Sequence, residues 1–298
     1  MSKKSALQKQ PSTDLIRQIN ELVEIGQAGG NPDLGFMARM LVQATLPHTD
    51  PGDLKEYMRV NGNFRLVMQP GPGMKLPYGS YPRLLLAWIT TEAVRTKNRQ
   101  LILGVSLSRF MHHLGLIPSG GRWGTITRLR EQMKRLFSSR IAGIYDSPND
   151  GTFQYQSMQV ANKINLWWSP KNPEQTTLWE STITLGEEFF EEIIQHPVPF
   201  DVRILKIIKK SPLGLDLYMW LTYRVFYLKE PVYISWASLH RQFGSDYGRL
   251  NNFTAKAKRE LAKIKIAWPE LHYETPRGRL VIYPSSPSIP PTPPKLTA

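Results

Sequence analysis

The sequence predicts an α+β protein in which one helix-rich unit occurs twice, and three observations lead to this prediction. Shifting the chain by 132 residues aligns Leu85–Arg109 with Leu217–Arg241 without gaps. The same order of predicted elements surrounds both segments: a long apolar helix, a short strand, a second helix, a turn, a basic helix and a hairpin. The excess positive charge falls within these two regions. We therefore expect two domains of one type.

The composition supports folded domains and excludes several kinds of site. A chain of 298 residues with 41% hydrophobic and 21% charged residues can bury two cores. It contains no cysteine, which excludes disulfides, thiolate zinc sites and cysteine catalysis. Its start has no signal-peptide pattern, and no run of 18 apolar residues suggests a membrane span. We expect a soluble cytoplasmic protein.

Two terminal segments flank the predicted domains. Residues 1–33 form an N-terminal arm, with a helix over Asp14–Ile25 capped by Ser12 or Thr13 and ended by the glycine-rich Gly26–Asp33. A docked terminal helix is favoured over a partner-binding arm. At the other end, six prolines in the fifteen residues from Pro284 predict a disordered tail over 285–298.

The first domain is predicted over residues 34–170. Its apolar residues have helical spacing over Phe36–Ala44. The predicted elements that follow are a strand Phe64–Met68, a helix from Pro82, a strand Leu101–Leu103, a helix from Ser106, the basic helix Arg122–Arg140, and a hairpin of Ile141–Tyr145 with Phe153–Trp168. Ser169–Gln175, rich in proline and polar residues, is predicted to be the boundary.

The second domain is predicted over residues 176–284. Its elements are a strand Trp179–Leu185, a helix Gly186–Gln195, a helix Leu215–Tyr227, a strand Val232–Ile234, a helix from Ser235, a turn Ser245–Gly248, the basic helix Arg249–Lys265, and a hairpin over 271–283. In this order the hairpin lies beside the second helix of a helix-turn-helix, which is the winged-helix arrangement. Two tandem winged-helix domains are the predicted architecture.

The repeat and the charge distribution point to the same surfaces. Identical residues among the 25 aligned positions include Leu85/Leu217, Trp88/Trp220, Thr90/Thr222, Lys97/Lys229, Ser106/Ser238, Leu107/Leu239 and Arg109/Arg241. Residues 80–141 contain 11 Lys and Arg against 2 acids, and residues 202–279 contain 15 against 6. The rest of the chain carries −4 of the net +14. This distribution is typical of proteins that bind nucleic acid.

The basic helix Arg249–Lys265 is the stronger candidate for reading bases. Asn251 and Asn252 lie at its N-terminal end, where an asparagine can pair with adenine. Ala255 and Ala262 would let the helix approach a major groove closely. Lys256, Lys258, Lys263 and Lys265 are predicted to contact phosphates. Arg277 and Arg279 at the hairpin turn could reach an adjacent groove or the backbone. Arg249 and Arg259 are also predicted to face DNA, and Arg259 is expected to contribute to specific binding. A solvated helix face remains an alternative for Lys263 and Lys265.

The basic helix Arg122–Arg140 has an apolar side that begins at Trp123. The side chains predicted to face DNA are Arg122, Thr125, Thr127, Arg128 and Arg135. Glu131 could read a cytosine, although an ion pair with Arg135 is favoured. Arg109 and Arg241 occupy aligned positions on the preceding helices and are predicted to clamp phosphates.

The sequence gives little support to an enzymatic function. It has no Gly-Lys-Ser/Thr loop for nucleotide phosphates and no His-x-His motif of a nicking nuclease. His112 and His113 are neighbours on a helix and point apart, so they make a poor metal pair. We expect no catalytic residue, metal or cofactor. Trp88, Trp220, Phe189 and Phe190 are expected to be core residues.

Three runs in these regions carry a resemblance to a known family. PYGSYPRLLLAWITTEAVRTK, SLSRFMHHLGL and GRWGTITRLREQMKRLF resemble the plasmid-encoded RepA replication initiators, and SPLGLDLYMWLTYR looks like the matching signature of their second half. The resemblance extends from about Tyr57 to Tyr283. It implies double-stranded DNA binding at origin repeats (iterons), help in opening the origin, and recruitment of the host initiator DnaA and the replicative helicase.

The resemblance also implies a homodimer formed through the first domain, and repression of the protein's own gene by that dimer. Individual base contacts are not carried over from the family, so the candidate residues rest on the helix faces alone. A winged-helix transcriptional repressor without initiator activity is the alternative. A relaxase or primase is a third class, for which we expect neither metal-dependent nicking nor primer synthesis.

Overall fold

The computed structural model describes residues 13–28, 32–244 and 247–290. Its first half contains, in order, α1 (Thr13–Ala28), β1 (Leu34–Ala38), α2 (Arg39–Gln43), β2 (Tyr57–Asn61), β3 (Phe64–Gln69), α3 (Ser80–Thr96), β4 (Gln100–Gly104), α4 (Leu107–His113), α5 (Thr125–Phe137), β5 (Arg140–Ser147), β6 (Thr152–Gln159) and β7 (Ala161–Asn165). The predicted mixed α+β class is confirmed.

The second half continues with β8 (Ser181–Leu185), α6 (Glu187–Gln195), β9 (Pro197–Asp201), α7 (Val202–Ile208), α8 (Pro212–Tyr227), β10 (Val232–Ser235), α9 (Trp236–Phe243), α10 (Leu250–Ala267), β11 (Tyr273–Glu274) and β12 (Arg279–Ile282). Most of the predicted helices and strands are found within a few residues. Phe36–Ala44 is different, because β1 occupies its first part and pairs with β9.

The strands form four small antiparallel sheets among the described residues. Two of them have three strands and share one arrangement. In the first, β8 lies between β4 and β7, and in the second, β12 lies between β10 and β11. In both, the strand that comes last along the chain (β8 or β12) pairs with the strand that precedes two consecutive helices (β4 or β10). The repeated element order therefore corresponds to a repeated strand order.

The hairpin predicted to be the wing of the first unit lies elsewhere. β5 and β6 do pair, but the other edge of β5 is taken by β3, so the hairpin completes the four-stranded sheet β2-β3-β5-β6. The strands beside β4 are β7 and β8 instead. The proline-rich segment Ser169–Gln175 is thus a loop inside one sheet, and the predicted boundary there separates strands that pair with each other.

The connection between α5 and β5 consists of only Ser138 and Ser139. The hydroxyl of Ser138 donates to the carbonyl oxygen of Lys134 at 2.8 Å, and that of Ser139 donates to the carbonyl oxygen of Arg135 at 2.6 Å. Both serines are therefore bonded back to the last turn of α5.

Both terminal segments are packed against the second unit, the part of the chain that contains α7 to α10. Leu22 of α1 is fully buried, and Gln18 donates to the carbonyl oxygen of Ile207 at 2.8 Å. This agrees with the docked terminal helix. The predicted tail disorder is wrong for residues 285–290, because Trp268 Nε1 donates to Ser286 and the Ser288 hydroxyl lies 3.2 Å from that of Tyr218. Residues 291–298, like 1–12, lie outside the described residues.

Candidate nucleic-acid interface

The turn before α5 is held by hydrogen bonds from its own side chains. Thr125 Oγ1 accepts from the backbone amide of Ser119 at 2.8 Å and donates to the carbonyl oxygen of Ile117 at 2.7 Å. The hydroxyl of Thr127 donates to the carbonyl oxygen of Gly121 at 2.9 Å. Gly121 has φ +86°, and a side chain on Gly124 would collide with the backbone of Ser119. The GGRWG sequence therefore fixes this turn, and Thr125 and Thr127 are committed to it.

Helix α5 begins later than predicted, and this changes the environment of Trp123. It starts at Thr125, so Trp123 belongs to the turn and is 78% exposed rather than packed in the core. Ile126, Leu129, Met133 and Phe137 form the buried side. Arg128 is exposed, with its guanidinium 5.5 Å from the centroid of the Tyr81 ring. Arg128 is thus available to a ligand.

Arg135 was predicted to face DNA, and that prediction is wrong. Its side chain is buried and ion-paired with Glu131 at 2.9 Å. Its guanidinium also donates to the carbonyl oxygen of Leu76 at 3.3 Å and lies 5.3 Å from the ring centroid of Tyr78. The segment before α3 folds over the last turns of α5 and covers this position. Glu131 is the ion-pair partner of Arg135, as the favoured interpretation had it.

Helix α10 has the predicted division into two faces. Phe253, Ala257, Leu261 and Ile264 are buried. The exposed side chains on the opposite side are Asn251, Asn252, Ala255, Lys258, Arg259 and Ala262. Within the described part of the chain, Asn251, Asn252 and Arg259 have no side-chain hydrogen bond or ion pair. Their polar groups are therefore free to meet a ligand.

The lysines of α10 are less available than the sequence suggested. Lys256 is 2.7 Å and Lys263 is 3.5 Å from the carboxylate of Glu260, which is fully buried. Lys265 donates to the carbonyl oxygens of Pro269 and Leu271 at the end of the helix. Lys258 is exposed and lies against the hairpin, 3.4 Å from the carbonyl oxygen of Thr275. The ammonium of Lys256 thus neutralises an internal acid, and its contact with a phosphate stays a prediction.

The hairpin turn after β11 presents two arginines. Arg277 and Arg279 are exposed on either side of Gly278, whose φ of +84° makes the tight turn possible. The guanidinium of Arg279 lies 5.4 Å from the ring centroid of Tyr233 on β10. The backbone amide of Trp236 donates to the carbonyl oxygen of Gly278, which ties the turn to the start of α9.

Arg109 and Arg241 are both exposed, but they are not equivalent positions. Ser106 caps α4 and accepts from the amide of Arg109, whereas Ser235 caps α9 and accepts from the amide of Ser238. The structural counterpart of Arg109 is therefore Ser238. The gapless alignment breaks in the strand before these helices, and the identities of Ser106 with Ser238 and of Arg109 with Arg241 are coincidental.

Arg83, counted with the basic surface, is in fact buried at the contact between the two units. It is 2% exposed, and its Nε and Nη2 lie 2.7 and 2.8 Å from the two carboxylate oxygens of Asp216. The carbonyl oxygens of Leu46, Pro47 and Gly79 accept the remaining guanidinium protons. His48 Nε2 is 2.8 Å from the same carboxylate. This pair joins α3 to α8.

The pKa of Asp216 reflects this environment. Burial raises the pKa, but the charge of Arg83 and the hydrogen bonds from His48 and Arg83 outweigh burial and hold it below its usual value. The sequence signal for the pair was weak, because Arg83 and Asp216 occupy apolar helices and are 133 residues apart. The available hint was one charged residue beside or within the most apolar stretch of each helix.

The remaining sequence expectations concern the core and absent sites. Trp220 and Phe189 are buried and Trp88 and Phe190 half-buried, in agreement with a core role. His112 and His113 are both exposed. Among the residues described, no three His, Asp or Glu side chains are grouped to hold a metal ion. None of the helices in those same ranges is long and apolar enough to cross a membrane.

Comparison with known proteins identifies the family. The family described as plasmid-encoded RepA protein matches residues 76–237, which is more than half of the chain. The chain belongs to this family. The match covers α3 through the start of α9, including the turn before α5 and the Arg83–Asp216 pair. Expected family membership is thus confirmed. No curated protein matches the RepA-family chain in sequence.

Two solved structures share its fold. The crystal structure of RctB domains 2–3 superposes with a TM-score of 0.51 at 13% identity, covering 82% of this chain and 94% of the RctB chain. A selenomethionine form of RctB domains 2 and 3 gives a TM-score of 0.52 at 12% identity, covering 88% and 97%. At this identity the comparison concerns the fold alone.

Proposed function

We propose that this RepA-family chain is a plasmid replication initiator that binds repeated double-stranded sites at its origin. Two winged-helix units, containing α5 and α10, would each place one helix in a major groove. Binding repeats is a non-catalytic role, and the proposal includes no bond-breaking step, metal or cofactor. A plasmid origin lies in the bacterial cytoplasm, and we propose that the protein acts there.

The winged-helix interpretation is supported by topology. Each unit has a long helix, a strand, two consecutive helices and two further strands, with the last strand beside the first. A wing is the hairpin that follows the recognition helix, and β11–β12 follows α10 directly. In the first unit the β5–β6 hairpin is inserted between α5 and the β7–β8 pair. In this interpretation β7 and β8 form the wing of the first unit, and the inserted hairpin hides it in the sequence.

The exposed face of α10 is the observation that carries the proposal. Asn251, Asn252 and Arg259 have free polar groups on a side where Ala255 and Ala262 leave space. Asparagine and arginine are the side chains that pair bidentately with adenine and guanine. Arg277 and Arg279 extend the same unit toward a neighbouring groove or backbone. On α5, Arg128 is exposed, Arg135 is buried, and Thr125 and Thr127 are bonded to the turn before the helix.

The first unit supplies a second DNA contact in this proposal. Arg122, Arg128 and Arg109 are exposed and would meet phosphates, while Thr125 and Thr127 shape the turn. Because phosphate contacts carry no sequence information, α5 would set position and α10 would set specificity. By resemblance to the family, recruitment of DnaA and the helicase, homodimer formation and autorepression complete the proposal.

Footprinting on the plasmid that carries the gene tests this function. We expect protection of an array of direct repeats, followed by permanganate reactivity of thymines in an adjacent AT-rich segment. Protection confined to a promoter, with no repeat array and no opening, would instead identify a repressor. Strand cleavage of the same DNA in Mg²⁺ or Mn²⁺ would contradict a non-enzymatic role.

Arg259→Ala tests the base-reading surface within that function. A bidentate base contact is worth about 1–3 kcal/mol, so specific binding should weaken roughly 5- to 150-fold while binding to unrelated DNA changes little. Arg17→Ala is the matched control, because it removes the same charge from an exposed position on α1. Equal losses of specific and nonspecific affinity would remove Arg259 from the base-reading set.

A further inference from the structure

The turn before α5 exposes two large apolar side chains from a rigid frame. Trp123 and Ile117 are each 78% exposed. The hydrogen bonds of Thr125 and Thr127 and the close approach at Gly124 fix the backbone that carries them. Trp123 is therefore preorganised in the solvent and has no packing role, although an exposed indole costs free energy in water.

The surroundings of Trp123 favour a polyanion as its partner. Between Glu92 and Glu131 the sequence contains seven Lys and Arg residues and no acid. The guanidinium of Arg122 lies 5.1 Å from the centroid of the indole ring. An arginine held on one side of an aromatic ring leaves the other face open for a further flat group. Arg128 follows on the first turns of α5 and is also exposed.

We propose that Trp123 is a stacking platform for an unpaired DNA base, with Arg122 binding the adjoining phosphate. Proteins bind single strands by stacking bases on exposed aromatic rings within a positively charged track, and any base offers a face to such a ring. The inference rests on the proposed initiator function, since an opened origin supplies the single strand. Once the origin is open, the turn before α5 holds the separated strand while α10 keeps the duplex repeat.

A protein partner is the competing occupant of this surface, and side-chain chemistry separates the two. Stacking needs a flat ring, so phenylalanine can replace tryptophan but leucine cannot. An apolar protein contact accepts leucine. The charge of Arg122 also distinguishes the two partners. It strengthens the binding of a single strand of any sequence, whereas an apolar protein surface binds without it.

The test measures binding of a dye-labelled 15-nucleotide oligo-dT strand and of duplex origin DNA to the full chain by fluorescence anisotropy. One aromatic–base stack is worth enough that Trp123→Ala should weaken strand binding roughly tenfold. Trp123→Phe should retain most of the affinity and Trp123→Leu should behave like alanine. Duplex affinity should stay within about twofold, since single-strand stacking adds nothing to a paired duplex.

Phe153→Ala is the matched control, because Phe153 is also an exposed aromatic residue but lies on the β5–β6 hairpin. Its strand and duplex affinities should both be unchanged. The proposal is overturned if oligo-dT does not bind the unaltered protein, if Trp123→Ala binds it normally, if Trp123→Leu restores binding, or if duplex affinity falls equally. Failure of the unaltered protein to bind duplex repeats would refute the initiator function while leaving the strand result to decide the role of Trp123.

Discussion

Asp216→Asn would show how strongly the two units depend on their buried ion pair. The substitution keeps the size of the side chain and one carbonyl oxygen but removes the charge. Arg83 would then remain in the interior with three backbone carbonyl oxygens as partners and no counter-charge. His48 would face an amide in place of a carboxylate.

The burial of the pair sets the expected magnitude. The side chains of Arg83 and Asp216 are 2% and 6% exposed. Removing one partner of a buried pair costs about 3–5 kcal/mol, because the other charge stays desolvated. The retained oxygen and the three carbonyl contacts place Asp216→Asn near 3 kcal/mol. The control is Asp146→Asn. Asp146 forms an ion pair with Arg65, and their side chains are 47% and 36% exposed, respectively. Such a pair contributes about 0–1 kcal/mol.

Urea denaturation of both variants, followed by circular dichroism, measures these free energies of unfolding. The m-value should be unchanged if the chain still unfolds as one unit, and a second transition in Asp216→Asn would mean that the units have separated. A loss below 1 kcal/mol, equal to that of Asp146→Asn, would refute the argument that the pair is a structural requirement of the contact between α3 and α8.

Three further predictions follow from the same structure. The pKa of Asp216 is lowered in the folded state, so its contribution to stability is present above the unfolded pKa of about 3.9 and is lost as the pH falls through the lower folded value. Asp216→Asn should therefore flatten the decline of unfolding free energy below about pH 4, and an unchanged acid slope would contradict this. Replacing Arg277 and Arg279 together by alanine should reduce the slope of log Kd against log salt by about 1.8 if both contact phosphates; an unchanged slope would place the wing away from DNA. Ending the chain at Tyr283 removes the acceptor of Trp268 Nε1 and the neighbour of the buried Tyr218 hydroxyl, and should cost about 1–3 kcal/mol in a thermal or urea unfolding measurement. A truncated protein as stable as the full chain would mean that residues 284–290 contribute no stabilising contact.

The sequence predicted local elements well because local patterns specify them. Ser106, Ser211 and Ser235 each cap a helix that hydrophobic spacing located. The two faces of α10 followed the same rule. Pairing between distant strands has no such local signal. The β5–β6 hairpin therefore appeared to be a wing, although β3 lies on its other edge.

The candidate site was predicted less completely, and the errors have a common cause. Arg135 has outward spacing on an isolated helix, yet the segment around Leu76 and Tyr78 covers it. Lys256 has the spacing of a surface lysine, yet Glu260 on the buried side draws it in. Trp123 has core spacing, yet the glycines delay the start of α5 and leave it in solvent. Helical periodicity gives direction around one axis and cannot show which neighbour covers that direction.

The two serines between α5 and β5 give the first unit a property that the second does not share. With both hydroxyls bonded to the end of α5, this joint has no slack to absorb a movement of the helix. We expect a tilt of α5 to move β5 and the strands β3 and β6 that pair with it. The four-stranded sheet is thus joined to α5 by a short, hydrogen-bonded connection. The corresponding connection in the second unit is longer, because five residues lie between the end of α10 and β11.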